Sequence, residues 1–181
     1  MKLLETSAAV CTLLYVWLAA RGIIWCWPFG IAGAVLYIIF DVHVKYYQDA
    51  LVQTYYVFAG IYGLYYWKTH SNTFADVYVS RPLKEMWLPV ALCAVLVLPF
   101  GYLFSALGNA YSYLDSATTL FSFLATWYTA RKVLQSWLIW ILVDVALAIQ
   151  FLLKSAYITS SLYLLLACMA LYGYAQWKQK L

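Results

Sequence analysis

Asp144 lies in the middle of a long apolar stretch, about nine residues from either end, and no other acid or base sits so near the centre of a candidate span. Keeping an unpaired carboxylate at mid-bilayer costs about 2.5–3.5 kcal/mol on insertion scales, so some contact must offset it. Trp137, Trp140 and Asp144 follow the spacing i, i+3, i+7, which places two indoles and the carboxyl along one helix face. Two π faces and an anion suit a flat, aromatic, cationic ligand through stacking, cation–π attraction and charge pairing. A helix-packing hydrogen bond for Asp144 and an interfacial position for Trp137 are the structural alternatives. Gln53 is the other polar group inside a span, and Gln150 falls at about the same depth when the two helices run in opposite senses. Gln53 can therefore reach the same cavity as Asp144 from across the molecule. Tyr55, Tyr56 and Tyr62 crowd the helix that carries it, with Tyr56 the candidate for lining that cavity.

Catalytic chemistry finds no support. Neither His43 nor His70 has a Cys, His or acidic partner at metal-ligand spacing, and there is no nucleophile elbow or phosphate-cradling glycine pattern. The four cysteines are scattered through apolar runs and read as small core residues. No metal, cofactor or enzyme activity is expected. The net charge of +4 comes from Lys and Arg at the edges of apolar runs, with no basic stripe to bind nucleic acid. Asp41, His43, Lys45 and Asp49 read as one solvated outer loop.

The elements that must position these groups are membrane helices. A chain that is 66% hydrophobic, 20% aromatic and 10% charged, with a mean hydropathy of +0.78, cannot cover a water-facing surface. The lipid bilayer is thus its first partner. Stretches near 6–21, 23–40, 50–67, 86–107, 115–131, 135–153 and 156–177 are long and apolar enough to span. Pro89 and Pro99 make the fourth the strongest candidate for a kink. Of the 11 Lys and Arg residues, eight gather on the side bearing the C-terminus, which predicts a cytoplasmic C-terminus and an outside N-terminus.

Sliding the chain by 110 residues matches Trp17 to Trp127, Trp27 to Trp137, Tyr62-Gly63 to Tyr172-Gly173 and Trp67-Lys68 to Trp177-Lys178. Residues 5–68 and 115–178 share 13 identities in 64 positions, and six of the nine tryptophans fall into matched pairs. The chain is therefore a duplication. Three spans per copy is an odd number, so a single intervening span is needed to keep the copies parallel. The expected division is a first three-helix repeat at 1–68, a loop and linker helix at 69–114, and a second repeat at 115–181. The copies differ where chemistry is concentrated: Trp140 and Asp144 correspond to Gly30 and Ala34. Small residues on the second span read as a packing face, and the sixth span as one wall of an asymmetric site.

The stretch from Tyr15 to Phe40, Val52-Gln53 leading to Ile61-Tyr62-Gly63, and Trp137-x-x-Trp140-x-x-x-Asp144 together resemble the Pnu-type bacterial vitamin transporters, the PnuC-like family. The likeness spans nearly the whole chain. It implies an all-α, seven-helix, three-one-three plan similar to the sugar-transporting SWEET proteins, a homotrimer in the bacterial inner membrane, and energy-independent movement of an unphosphorylated vitamin that is trapped by phosphorylation. The nicotinamide riboside branch of the family usually carries Asn at the positions of Asp144 and Gly60. Those departures, with Trp25-Cys26-Trp27-Pro28, look more like the thiamine branch. The expectation is a thiamine uniporter working by alternating access. In it Trp137 and Trp140 stack the rings, Asp144 meets the polar or cationic part, and Gln53 and Tyr56 approach from the facing repeat. Nicotinamide riboside transport by the same mechanism is the alternative, and a non-transporting membrane scaffold is the contrasting class.

Overall fold

A backbone inside hydrocarbon has no water to bond with, so each apolar run satisfies its own polar groups as a helix. The computed structural model describes residues 2–70, 78–106 and 111–181. Within them the chain forms seven helices: α1 (Lys2–Arg21), α2 (Cys26–His43), α3 (Tyr47–His70), α4 (Leu83–Ala106), α5 (Ser112–Ala130), α6 (Ser136–Leu153) and α7 (Tyr157–Lys178). The fold is all-α, and the helix ends fall within a few residues of the predicted spans. α4 runs unbroken through Pro89 and Pro99.

Five of the seven, α1, α2, α4, α6 and α7, are long and apolar enough to cross a membrane on composition alone. α3 and α5 fall short because of polar side chains, Gln53, Thr54 and several tyrosines on one, a run of Ser and Thr on the other. Their polar faces turn inward. Helix contacts pass from α1 to α2, α3, α5, α6 and α7 and back to α1, closing a six-helix ring, while among the described residues α4 packs chiefly on α5. α4 therefore stands outside the ring, with Trp87, Leu88, Leu92, Val95 and Leu98 exposed along it.

The duplication seen in the sequence is repeated in the geometry. Left-handed backbone occurs at Gly22 and Lys132, and again at Lys45 and Ser155, two pairs separated by the same 110 positions. The two places where the copies meet are also equivalent. Trp127 of α5 stacks on Tyr62 of α3 at 4.9 Å and 11°, and Trp17 of α1 stacks on Tyr172 of α7 at 5.5 Å and 8°. Arg131 lies 4.3 Å over Trp127 and Arg21 lies 5.3 Å over Trp17, so each Trp-x-x-Ala-Arg motif builds one layered junction between the copies. The arginines do more than anchor the chain at a bilayer surface. They cover the aromatic joints.

At the end of the ring that bears the C-terminus, four tryptophans from the matched pairs, Trp27, Trp67, Trp137 and Trp177, meet in one buried cluster with Ala19, Ala130 and Leu134. Trp67 packs edge-on to Trp27 at 5.6 Å, and Trp137 edge-on to Trp177 at 5.3 Å. The Trp67 indole donates to the Ala130 carbonyl at 3.1 Å and the Trp177 indole to the Ala19 carbonyl at 3.0 Å, each bond crossing from one copy to the other. This end is plugged. Gly63 and Gly173 make the plug possible: a Cβ on Gly173 would lie 2.7 Å from the Trp137 ring, and one on Gly63 would run into Trp27.

Candidate functional site

Above the plug the ring encloses a cavity of about 1560 Å³ that reaches the opposite end, where Tyr46, Tyr47 and Ile158 are exposed at its mouth. Gln53, Tyr56, Trp137, Trp140 and Asp144 all line it. α6 supplies the last three. Across from them α2 presents Gly30 and Ala34, the counterparts of Trp140 and Asp144. Small residues on one middle helix thus leave the space that the large and charged residues of the other face.

Asp144 is 6% exposed and has no hydrogen-bond or ion-pair partner among the described residues. A buried carboxyl normally finds a donor, because leaving one unpaired is expensive. Here the open side is the cavity. Trp140 forms the wall beside it, its indole nitrogen donating to Thr129 Oγ1 at 3.3 Å. Trp137 sits lower, 2% exposed, with its ring occupied by Gly173 and Trp177. It is the floor of the cavity and a part of the plug, whereas the sequence suggested two equivalent stacking rings. Its indole nitrogen is buried without a partner, as is that of its counterpart Trp27. Gln53 approaches from α3, half-buried and without a hydrogen bond to the described residues, and Tyr56 faces Ser122 of α5 from the same helix. Tyr55 turns away, donating to the Phe123 carbonyl at 2.9 Å.

Two features were not singled out from the sequence. One is a hydroxyl wall on α5: Thr118, Thr119, Ser122, Thr126 and Thr129 line the cavity. Thr118, Thr126 and Thr129 donate to the carbonyls of Leu114, Ser122 and Ala125, at 2.8–2.9 Å, and so present lone pairs to the interior. The spacing of 118, 122 and 126 on an apolar span was the available signal. The other is Asp41. It is neither looped nor solvated but sits inside α2, 6% exposed, lining the cavity. A residue near the end of an apolar run reads as solvated when the neighbouring helices that bury it are unknown. Gly60, where the nicotinamide riboside branch usually has Asn, packs against Ile31, and a Cβ there would lie 2.7 Å from it.

The lining is rich in acceptors and negative charge, with five carboxylates, Glu5, Asp41, Asp49, Asp115 and Asp144, against Lys45 and Lys154. Among the described residues no group of three His, Cys, Asp or Glu could hold a metal ion. A membrane ring of helices around a deep cavity open at one end belongs to the class of multi-pass small-molecule transporters. The family model described as "Nicotinamide mononucleotide transporter" matches residues 2–179, and the chain belongs to that family. It is 26% identical to the nicotinamide riboside transporter PnuC of Escherichia coli K12 over 96% of this chain and 84% of that one, and equally to PnuC of Shigella flexneri. A crystal structure of the vitamin B3 transporter PnuC superposes with a TM-score of 0.76 at 22% identity, covering 97% of this chain and 80% of the other, and has this fold. The relatives named are nicotinamide riboside transporters, which backs the alternative reading of the sequence better than the thiamine branch. Within Trp25 to Pro28, Cys26 and Trp27 belong to the buried plug, with Trp27 also touching the cavity, while Trp25 is exposed on the outside.

Proposed function

We propose that this protein is a facilitator for nicotinamide riboside, bound between the two repeats and passed across the membrane by alternating access. The carrying observation is the Asp144 carboxyl, buried, unpaired and open to the cavity beside Trp140. A pyridinium ring stacked on Trp140 would offset that charge, Gln53 and Tyr56 would orient the ligand from α3, and the α5 hydroxyl oxygens would accept from ribose hydroxyls. Trp137 would close the bottom of the site. The charge of the lining separates the riboside from its phosphorylated form. A phosphate dianion entering a cavity with five carboxylates, two lysines and no arginine would be repelled.

With the 1–68 and 115–181 repeats as the moving halves, the stacked junctions Trp17–Tyr172 and Trp127–Tyr62 are where they would pivot. The C-terminal end would face the cytoplasm of a bacterial inner-membrane protein, as the excess of Lys and Arg there supports, so the plugged ring would be open to the outside. Net uptake would follow from phosphorylation of the vitamin inside. In a homotrimer, which the family resemblance implies, the apolar outer face of α4 would be available to a neighbouring copy as it is to lipid.

Thiamine is the second reading, favoured by Asp144 itself, because an aminopyrimidine pairs with a carboxyl group and a carboxamide with an amide side chain. Quenching of intrinsic tryptophan fluorescence, titrated with nicotinamide riboside, thiamine and nicotinamide mononucleotide, tests all of this. Quenching at the lowest concentration by the riboside and none by the mononucleotide is the expected result. Tighter binding of thiamine would replace the substrate, and no response to any would leave a non-transporting scaffold.

A further inference from the structure

Asp41 on α2 and Gln150 on α6 occupy one level of the ring, since Gln150 is the counterpart of Phe40 at the 110-residue offset. They are 6% and 1% exposed, and both line the cavity. Each keeps a buried oxygen without a hydrogen-bond partner, Oδ2 of Asp41 and Oε1 of Gln150. The Gln150 amide nitrogen is committed to Asp115 Oδ1, so its carbonyl oxygen is left for the cavity. Two orphan acceptors therefore sit at one level, and neither would be buried at this cost without something to accept from.

The surroundings define what that is. Asp49 lies within electrostatic reach of Asp41, Asp115 and Lys154. The Lys154 ammonium is drawn over the rings of Tyr111 and Phe151, at 5.0 and 5.5 Å, and among the described residues no mouth carboxylate forms an ion pair. Phe151 stacks on Tyr163 at 5.4 Å and 7°, and both line the cavity here. Acceptors, an excess of carboxylates over lysines and flat aromatic walls suit a planar organic cation. At the helical rise, Gln150 is about 9 Å mouthward of Asp144, too far for one cationic ring to touch both levels.

We propose that Asp41 and Gln150, backed by Asp49 and Asp115, form an outer station that captures the positively charged ring of the substrate before it descends to Asp144. The station rests on the reading of the inner site as one for a cationic vitamin. It would act on the rate of arrival, because charge concentrated in a narrow mouth raises the local concentration of a counter-ion.

Stopped-flow tryptophan quenching on the intact protein in nanodiscs tests it, with nicotinamide riboside and its uncharged dihydro form as probes. Asp41→Asn is expected to slow association of the charged probe about 3–10-fold and flatten its salt dependence, with the uncharged probe unaffected and Asp41→Glu restoring the rate. Equal slowing of both probes, or no slowing, overturns the station. So does a wild-type association rate that changes when sodium or potassium is replaced by choline at equal ionic strength, because an inorganic cation would then occupy it. If Asp41→Asn does not fold, the wild-type comparison of the two probes across ionic strength decides: parallel behaviour overturns the proposal. Absence of wild-type quenching removes the inner site together with the station. Quenching with no dependence on ligand charge removes the station alone.

Discussion

Replacing Asp144 by Asn should move stability and affinity in opposite directions. The side chain keeps its shape but loses its charge, and no hydrogen bond or ion pair within the described protein is lost with it, because the wild-type carboxyl has none. An unpaired carboxylate at mid-span costs about 2.5–3.5 kcal/mol, so the empty variant should unfold at the same or a higher temperature. The ligand should suffer. A cation about 4 Å from a carboxylate gains about 4 kcal/mol at an effective dielectric of 20, before the water stripped from both is counted. A hydrogen bond to the carboxylate from the ligand's carboxamide or a ribose hydroxyl nets about 1.5–3 kcal/mol after that exchange. At about 1.4 kcal/mol per factor of ten, the dissociation constant of nicotinamide riboside should rise roughly 10- to 150-fold. Thermal unfolding in detergent, with and without ligand, measures both quantities on one sample. A variant that melts lower when empty and binds as tightly as wild type would show that Asp144 holds helices together, and would refute the argument.

The other expectations concern the walls and the plug. Trp140→Ala should weaken ligand binding by about 1 kcal/mol or more, through the lost ring face, as read by competition against a bound wild-type ligand. Gly173→Ala puts a methyl group into the Trp137 ring and should destabilise the fold by about 1–3 kcal/mol; an unchanged melting temperature would mean that the plug is loosely packed. Trp67→Phe and Trp177→Phe each remove one hydrogen bond between the copies, worth about 0.5–1.5 kcal/mol, and together should speed alkylation of the buried Cys26, followed by mass spectrometry. Equal Cys26 labelling in wild type and the double variant would show that these bonds do not hold the plug shut.

The helices, the duplication and the asymmetry of its copies were legible because each is carried by local pattern: apolar runs of spanning length, tryptophans in register, and Trp140 and Asp144 set against Gly30 and Ala34. A spacing of three, four or seven residues fixes which side chains share a helix face. It does not say what that face meets. Trp137 and Trp140 share one face of α6, yet only the tertiary contacts send the first into the plug against Gly173 and leave the second on the cavity wall. Asp41 read as part of a solvated outer loop and Gln150 only as a polar group at the depth of Gln53, and both become buried acceptors only when the neighbouring helices close around them. Ring closure was decided by contacts such as Trp17 with Tyr172, separated by 155 positions and invisible to any local period. Sequence alone determined which chemistry each helix carries, because periodicity is a property of one helix. The tertiary structure decided which of those faces see each other across an enclosed space, because burial belongs to the neighbours and not to the residue.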